Sequence, residues 1–134
     1  MRILLLAAMI AVAAPVSAAQ QATKTEMVLA NFSFAPEELH LHAGQSTTIH
    51  FVNNGSGGHD FTAAEFFAAA TMDTANRARI GGAKGRVSLG KDESVDVTLI
   101  PKAGTYKAHC SHFMHSSLGM TGKIVVDWPG EAAA

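Results

Sequence analysis

The chain has a single cysteine, Cys110, and it stands in a segment crowded with metal-binding side chains. The segment reads His109-Cys110-Ser111-His112-Phe113-Met114-His115-Ser116-Ser117-Leu118-Gly119-Met120. A thiolate, an imidazole and a thioether therefore share one short stretch, spaced Cys110-x4-His115-x4-Met120. A second imidazole, His59, lies far upstream in the glycine-rich run Gly57-Gly58-His59-Asp60-Phe61. A soft thiolate, two imidazoles and a weak axial Met form the ligand set of a blue-copper electron-transfer site. Cu(I) prefers soft sulfur and Cu(II) prefers nitrogen. A plane of two imidazoles and a thiolate, with a distant thioether, serves both, so little has to move when an electron passes. Zinc accepts the same donors.

Each donor has an ordinary alternative. A lone Cys packs well as a small hydrophobe, and Met120 could belong to a core. The spacing to His115, with Gly119 and Gly122 around Met120, favours ligands in both cases. His112 offers a shorter Cys-x-His spacing. Two residues is a short reach for two side chains that must meet on one metal, so His115 is the expected ligand. His112 is then a solvent-facing or outer neighbour. His109 precedes Cys110 on a strand, and its side chain is expected on the opposite face.

The elements that must position these donors are mostly strands. Glu26 to Phe34 carries Met27, Leu29, Phe32 and Phe34. Glu38 to His42 alternates, with Leu39 and Leu41 on one face and His40 and His42 on the other. Thr47 to Asn53 alternates again through Ile49 and Phe51, and Asn54 to Gly58 has the composition of a loop. Arg86–Leu89, Ser94–Ile100, Thr105–Cys110 and Gly122–Trp128 complete the set. Short strands punctuated by Gly and Pro indicate an all-β sandwich or barrel. Residues 20–25 and 129–134 read as loose ends.

One segment breaks the strand pattern. Residues 62–79 are rich in Ala, with Phe66, Phe67 and Met72, and predict one helical insertion whose apolar side packs on the sandwich. Thr62-Ala63-Ala64-Glu65 has capping-box spacing. Arg77, Arg79, Lys84 and Arg86 read as a solvated helix end; the alternative is a docking patch for an acidic partner. His40 and His42, which His50 could join, read as a solvated outer face, with an incidental surface metal site as the alternative.

The start of the chain predicts export. Met1-Arg2 precedes an apolar run from Ile3 to Val16, followed by Val16-Ser17-Ala18-Ala19. A positive start, a short apolar core and a small-residue site make a secretory signal peptide over 1–18. The run is shorter than the roughly 20 apolar residues of a membrane span, so no membrane anchor is expected. Residues 19–134 then form one domain, and the expected location is the periplasm. Without Arg2, nine basic residues face eleven acidic ones. That balance argues against nucleic acid or an anionic membrane as the main partner.

The residues quoted so far resemble the cupredoxin family of small type 1 blue-copper proteins. Gly58-His59-Asp60-Phe61 matches the first ligand loop, and Cys110-x4-His115-x4-Met120-x-Gly122 matches the second. Phe34-Ala35-Pro36, Ala43-Gly44, Phe51 to Asn53, Gly104-Thr105-Tyr106 and Gly122 to Val126 extend the likeness over nearly all of the exported chain except the insertion. The resemblance implies a Greek-key β-sandwich with one copper ion under loops at one end. It also implies a trigonal plane of His59, Cys110 and His115 with Met120 axial. Many relatives carry Asn after the first His, whereas this chain has Asp60. An ionised carboxylate there accepts hydrogen bonds but donates none, so the link between the two ligand loops must be built differently.

The expected role is a diffusible, monomeric one-electron carrier. Phe113, Met114 and Leu118 would form an apolar contact patch around His115 for a redox partner. The alternative is a periplasmic copper chaperone or resistance protein, favoured by the additional His and Met residues near the site. A copper enzyme is not expected, because the chain offers no second, three-histidine catalytic site.

Overall fold

A computed structural model of the chain describes residues 11–14, 21–112 and 114–129. The expected leader therefore lies largely outside the described residues. Among the described residues nine strands run in chain order: β1 (Thr23–Ala30), β2 (Ser33–Ala35), β3 (Glu38–His42), β4 (Thr47–Asn53), β5 (His59–Thr62), β6 (Arg86–Leu89), β7 (Ser94–Leu99), β8 (Gly104–His109) and β9 (Thr121–Asp127). They form a four-stranded sheet in the order β2-β1-β4-β7 and a five-stranded sheet in the order β3-β9-β8-β5-β6. The pairs β1·β4 and β3·β9 are parallel; the other named pairs are antiparallel. This is the all-β sandwich that the strand pattern and the resemblance imply.

Alternation decides which side chains fill the space between the sheets. In β4, Thr47, Ile49, Phe51 and Asn53 are buried, and in β3 Leu39 and Leu41 point inward while His40 and His42 are exposed. The inward residues bring the aromatic rings together. Phe61 lies 5.1 Å from Phe34, 5.2 Å from Phe51 and 6.3 Å from Phe67 between ring centroids. Fully burying one such ring is worth about 1.5–3 kcal/mol.

The structure corrects several expectations. The single strand read over Glu26–Phe34 starts earlier, at Thr23, and breaks at Asn31-Phe32. Its first residues are held because Thr23, Lys24 and Thr25 pair with Thr47, Thr48 and Ile49. The run His59-Asp60-Phe61 is a strand rather than a loop; all four residues of β5 are buried, so no alternation betrays it. His50 does not join His40 and His42, because β4 and β3 belong to different sheets. Its ring instead meets Asp96 across the strand pair, Nδ1 to Oδ1 at 2.6 Å.

The insertion is two short helices, α1 (Ala64–Ala69) and α2 (Thr74–Arg79), not one. Between them Thr71 exchanges backbone hydrogen bonds with Ile100 at 3.0 and 2.8 Å, which holds the chain extended there. The capping box does not form. Thr62 ends β5, and its hydroxyl donates to Asp60 Oδ1 at 2.6 Å, while Ala63 stands at the cap position of α1 and offers no side-chain cap. Asp73 caps α2 by accepting from Asn76 N at 2.8 Å. The apolar side packs inward as expected, through Phe66 and Phe67.

The basic stretch is not simply solvated. Arg77 donates to the carbonyls of Phe67 and Ala70 at 2.7 and 3.1 Å, filling acceptors that the end of α1 leaves open. Arg79 donates to the Asp96 carbonyl at 2.7 Å and Arg86 to Thr62 Oγ1 at 3.2 Å.

Asn76 fastens α2 to the sheet. Its Oδ1 accepts from Thr98 N at 2.8 Å and its Nδ2 donates to Asp73. Asn76→Ala should orphan the Thr98 N–H and cost about 1–3 kcal/mol in urea unfolding. Unchanged stability would show that water replaces the amide.

Candidate metal centre

Three short-range devices position the site. The first is Asn53, fully buried at the end of β4. Its Nδ2 lies within hydrogen-bonding distance of the carbonyls of Gly57, Leu89 and Gly90 at 2.9–3.1 Å, and its Oδ1 accepts from Gly55 N at 2.9 Å. The loop leading to His59 is thereby folded around one side chain. The second is β5 itself, which pairs His59 with Leu89 and Asp60 with Ser88. The third is the Cys110–Met120 segment, which closes on its own backbone. Cys110 N donates to Met120 O at 3.1 Å, Met120 N to His115 O at 3.0 Å, and His115 N to His112 O at 3.1 Å.

Asp60 joins the two ligand segments. Its Oδ1 accepts from Ser111 N at 2.9 Å and its Oδ2 from Ser111 Oγ at 2.6 Å, with Thr62 Oγ1 as a further donor. Burial by itself pushes the Asp60 carboxyl up. The donors from Ser111 and Thr62 outweigh it, and the group stays ionised below its usual range. The network is thus built from donors that surround an acceptor-only carboxylate.

The donors converge. His59 Nδ1 lies 3.2 Å from His115 Nδ1 and 4.0 Å from Cys110 Sγ, and His115 Nδ1 lies 3.4 Å from the same sulfur. Nitrogens and a sulfur sharing one ion in a plane, each about 2.0–2.3 Å from it, stand apart by similar distances. His59 and Cys110 are buried and His115 is half-buried. Met120 is fully buried, with its backbone bonded to both Cys110 and His115.

The electrostatics suit a cation. Burial, and then the nearby His115 and His112, pull the His59 pKa down, so its imidazole is neutral and able to ligate. Burial pushes the Cys110 thiol up, only partly opposed by the backbone N–H groups of Asp60 and His112. A thiolate in that position needs a metal beside it.

His112 lies outside the three-donor group. Its side chain is 44% exposed, and its ring stacks on His115 with centroids 5.3 Å apart and planes 12° apart. Its Nε2 is 3.6 Å from Asp60 Oδ2. His109 is exposed while Cys110 is buried, as strand alternation requires. Met114 and Leu118 are exposed beside His115; Phe113 lies outside the described residues. Sequence reasoning missed Asn31 and Phe32. Asn31 Oδ1 lies 2.8 Å from His59 Nε2, and the Phe32 ring stands 5.0 Å from that of His115. Both sit in the turn between β1 and β2, and no local pattern marks them.

Comparison with known proteins agrees with this architecture. The family model described as "Cupredoxin-like domain" matches residues 2–126. Among solved structures the chain is similar to dithionite-reduced auracyanin from Roseiflexus castenholzii, at 20% identity and a TM-score of 0.56, covering 78% of this chain and 97% of that one. It is also similar to auracyanin A, a "blue" copper protein from Chloroflexus aurantiacus, at 27% identity and a TM-score of 0.55, covering 79% and 99%. For auracyanin B the identity is 25% and the TM-score 0.56, with 83% and 93% covered. No curated protein sequence matches. Donor set and fold agree on the cofactor, a single copper ion. A match running over nearly the whole length, on a two-sheet frame shared with those neighbours, makes the chain a member of the cupredoxin-like domain family.

Proposed function

We propose that this protein is an exported one-electron carrier in which His59, Cys110 and His115, with Met120 as a further soft donor, would hold the copper ion. The observation that carries the reading is the convergence of two Nδ1 atoms and one Sγ within 3.2–4.0 Å in the folded chain. A site built in advance on two cross-braced segments resists rearrangement, which is what fast electron exchange needs. Bound copper supplies the one-electron couple. The protein residues set its donors, keep water from Cys110 and His59, and leave His115 as the half-buried contact with the outside.

The exposed apolar residues around His115 support docking of a redox partner there. Met114 and Leu118 were expected in that patch, and Phe32 extends it. No helix among the described residues is long and apolar enough to cross a membrane. We read residues 1–18 as a signal peptide, and the protein as a periplasmic monomer. The auracyanin likeness supports the carrier role. A second reading, delivery or sequestration of copper, is favoured by exposed His112 and Met114 beside His115. A carrier keeps its copper through repeated oxidation and reduction, whereas a delivery protein yields Cu(I) to an acceptor.

Substitution tests the ligand choice. His115→Ala should disrupt the visible spectrum and weaken copper retention by more than about tenfold. His112→Ala should leave the spectrum nearly intact, because its ring stacks outside the donor group. The reverse result would assign the shorter Cys-x-His spacing.

A further inference from the structure

We propose that Asn31 is a positioning residue for the metal centre, which fixes the tautomer and donor strength of His59 and through them the reduction potential. The proposal rests on His59 being a ligand. The hydrogen bonds around Asn31 can be assigned by elimination. Ser56 N, a backbone donor, points at Asn31 Oδ1 at 3.1 Å, so that atom must be the amide oxygen. Asn31 Nδ2 in turn donates to Ser56 Oγ at 2.7 Å. A flipped amide would set its NH2 group against the Ser56 N–H, donor facing donor, and lose that bond. The same Oδ1 lies 2.8 Å from His59 Nε2, and an amide oxygen only accepts, so Nε2 carries the proton. Nδ1 is left with its lone pair directed at Cys110 Sγ and His115 Nδ1.

Gly55 gives independent support. A Cβ built there would lie 2.5 Å from His59 Nε2 and 2.6 Å from Asn31 Oδ1. The loop thus closes directly over this hydrogen bond, and only glycine leaves room for it. Asn53 holds Gly55 in that place through its Oδ1. His59 is 1% exposed, so water does not compete for Nε2. A fixed acceptor on the outer nitrogen makes the imidazole a stronger donor and favours Cu(II) over Cu(I).

Two near-isosteric variants of the full chain separate this role from mere support of the fold. Asn31→Asp keeps an acceptor at Oδ1, and Ser56 Oγ can turn to donate to the new oxygen; it also adds negative charge. It should favour Cu(II) over Cu(I) by about tenfold, a fall of about 59 mV for one electron. Asn31→Leu leaves the Nε2 proton without a partner. It should raise the potential by a comparable amount and weaken Cu(II) retention about 10–100-fold. A structural filler would shift both variants in the same direction, or neither, and that result would overturn the proposal. Nitrogen-15 NMR of the copper-free protein gives a reading that does not depend on metal. The wild type should show His59 protonated at Nε2, and a proton at Nδ1 would also overturn the assignment. A wild type that shows no thiolate-to-copper band when loaded with copper would sink the ligand reading and this proposal with it. A normal band with unsplit variants would sink the role of Asn31 alone.

Discussion

Cys110→Ser should abolish the intense thiolate-to-copper charge-transfer band and lower copper affinity by more than the about 10–100-fold typical of losing an outer partner. The band requires a sulfur orbital on the metal, and serine offers a hard oxygen that stays protonated in this setting. The geometry leaves no substitute. Sγ sits 3.4 Å from His115 Nδ1 and receives the Asp60 N–H at 3.4 Å, in a fully buried position that no other sulfur with a thiolate form can reach. The chain should still fold, because serine is similar in size and can accept the Asp60 N–H. The check is the visible spectrum of the copper-loaded variant together with competition against a Cu(I) chelator. A coloured protein surviving the change would remove Cys110 from the site.

Asp60→Ala should produce a large loss of folding stability in the copper-free protein, about 2–4 kcal/mol, because it removes the one buried acceptor on which three donors meet. Ser111 N, Ser111 Oγ and Thr62 Oγ1 all point at this carboxylate, which is 1% exposed. The hydroxyls can turn elsewhere, but the Ser111 N–H cannot. With the tie cut, the segment after Cys110 is no longer fastened to β5, and copper retention should fall as well. Asp60→Asn is the informative companion. Its Oδ1 still accepts from Ser111 N and Thr62, and its Nδ2 can donate to Ser111 Oγ, so the cost should be about 1 kcal/mol. Urea unfolding of the two variants gives the comparison. An alanine variant as stable as wild type would show that the ligand segments hold together without Asp60.

Asp60 and Asn31 brace the site from different sides. Asp60 links β5 to the backbone just after Cys110, while Asn31 links the turn after β1 to the His59 ring. One brace sets where the second ligand segment lies; the other sets which nitrogen of the first imidazole faces it. The two substitutions therefore have separable readouts, unfolding free energy for Asp60 and reduction potential for Asn31.

The features legible in the chain before folding are those whose spacing is local. Cys110, His115 and Met120 are close along the chain, and the type of each side chain limits what it can bind. The alternation in β3 and β4 is equally local, since successive side chains on a strand point to opposite faces. That pattern gave the inward sets Leu39/Leu41 and Ile49/Phe51 and placed His109 opposite Cys110. Tertiary structure decided everything that depends on which strands become neighbours. Alternation says that His40, His42 and His50 face outward, but not that they lie on different sheets. β5 is buried on both faces and so shows no period. Thr62 has the right spacing for a helix cap, yet its hydroxyl is taken by Asp60 and Arg86, partners that only the sheet brings near. Asn31 reaches His59 across 28 positions of chain. No composition or period encodes such a meeting, because it is set by the strand register and by the glycine loop that closes over it.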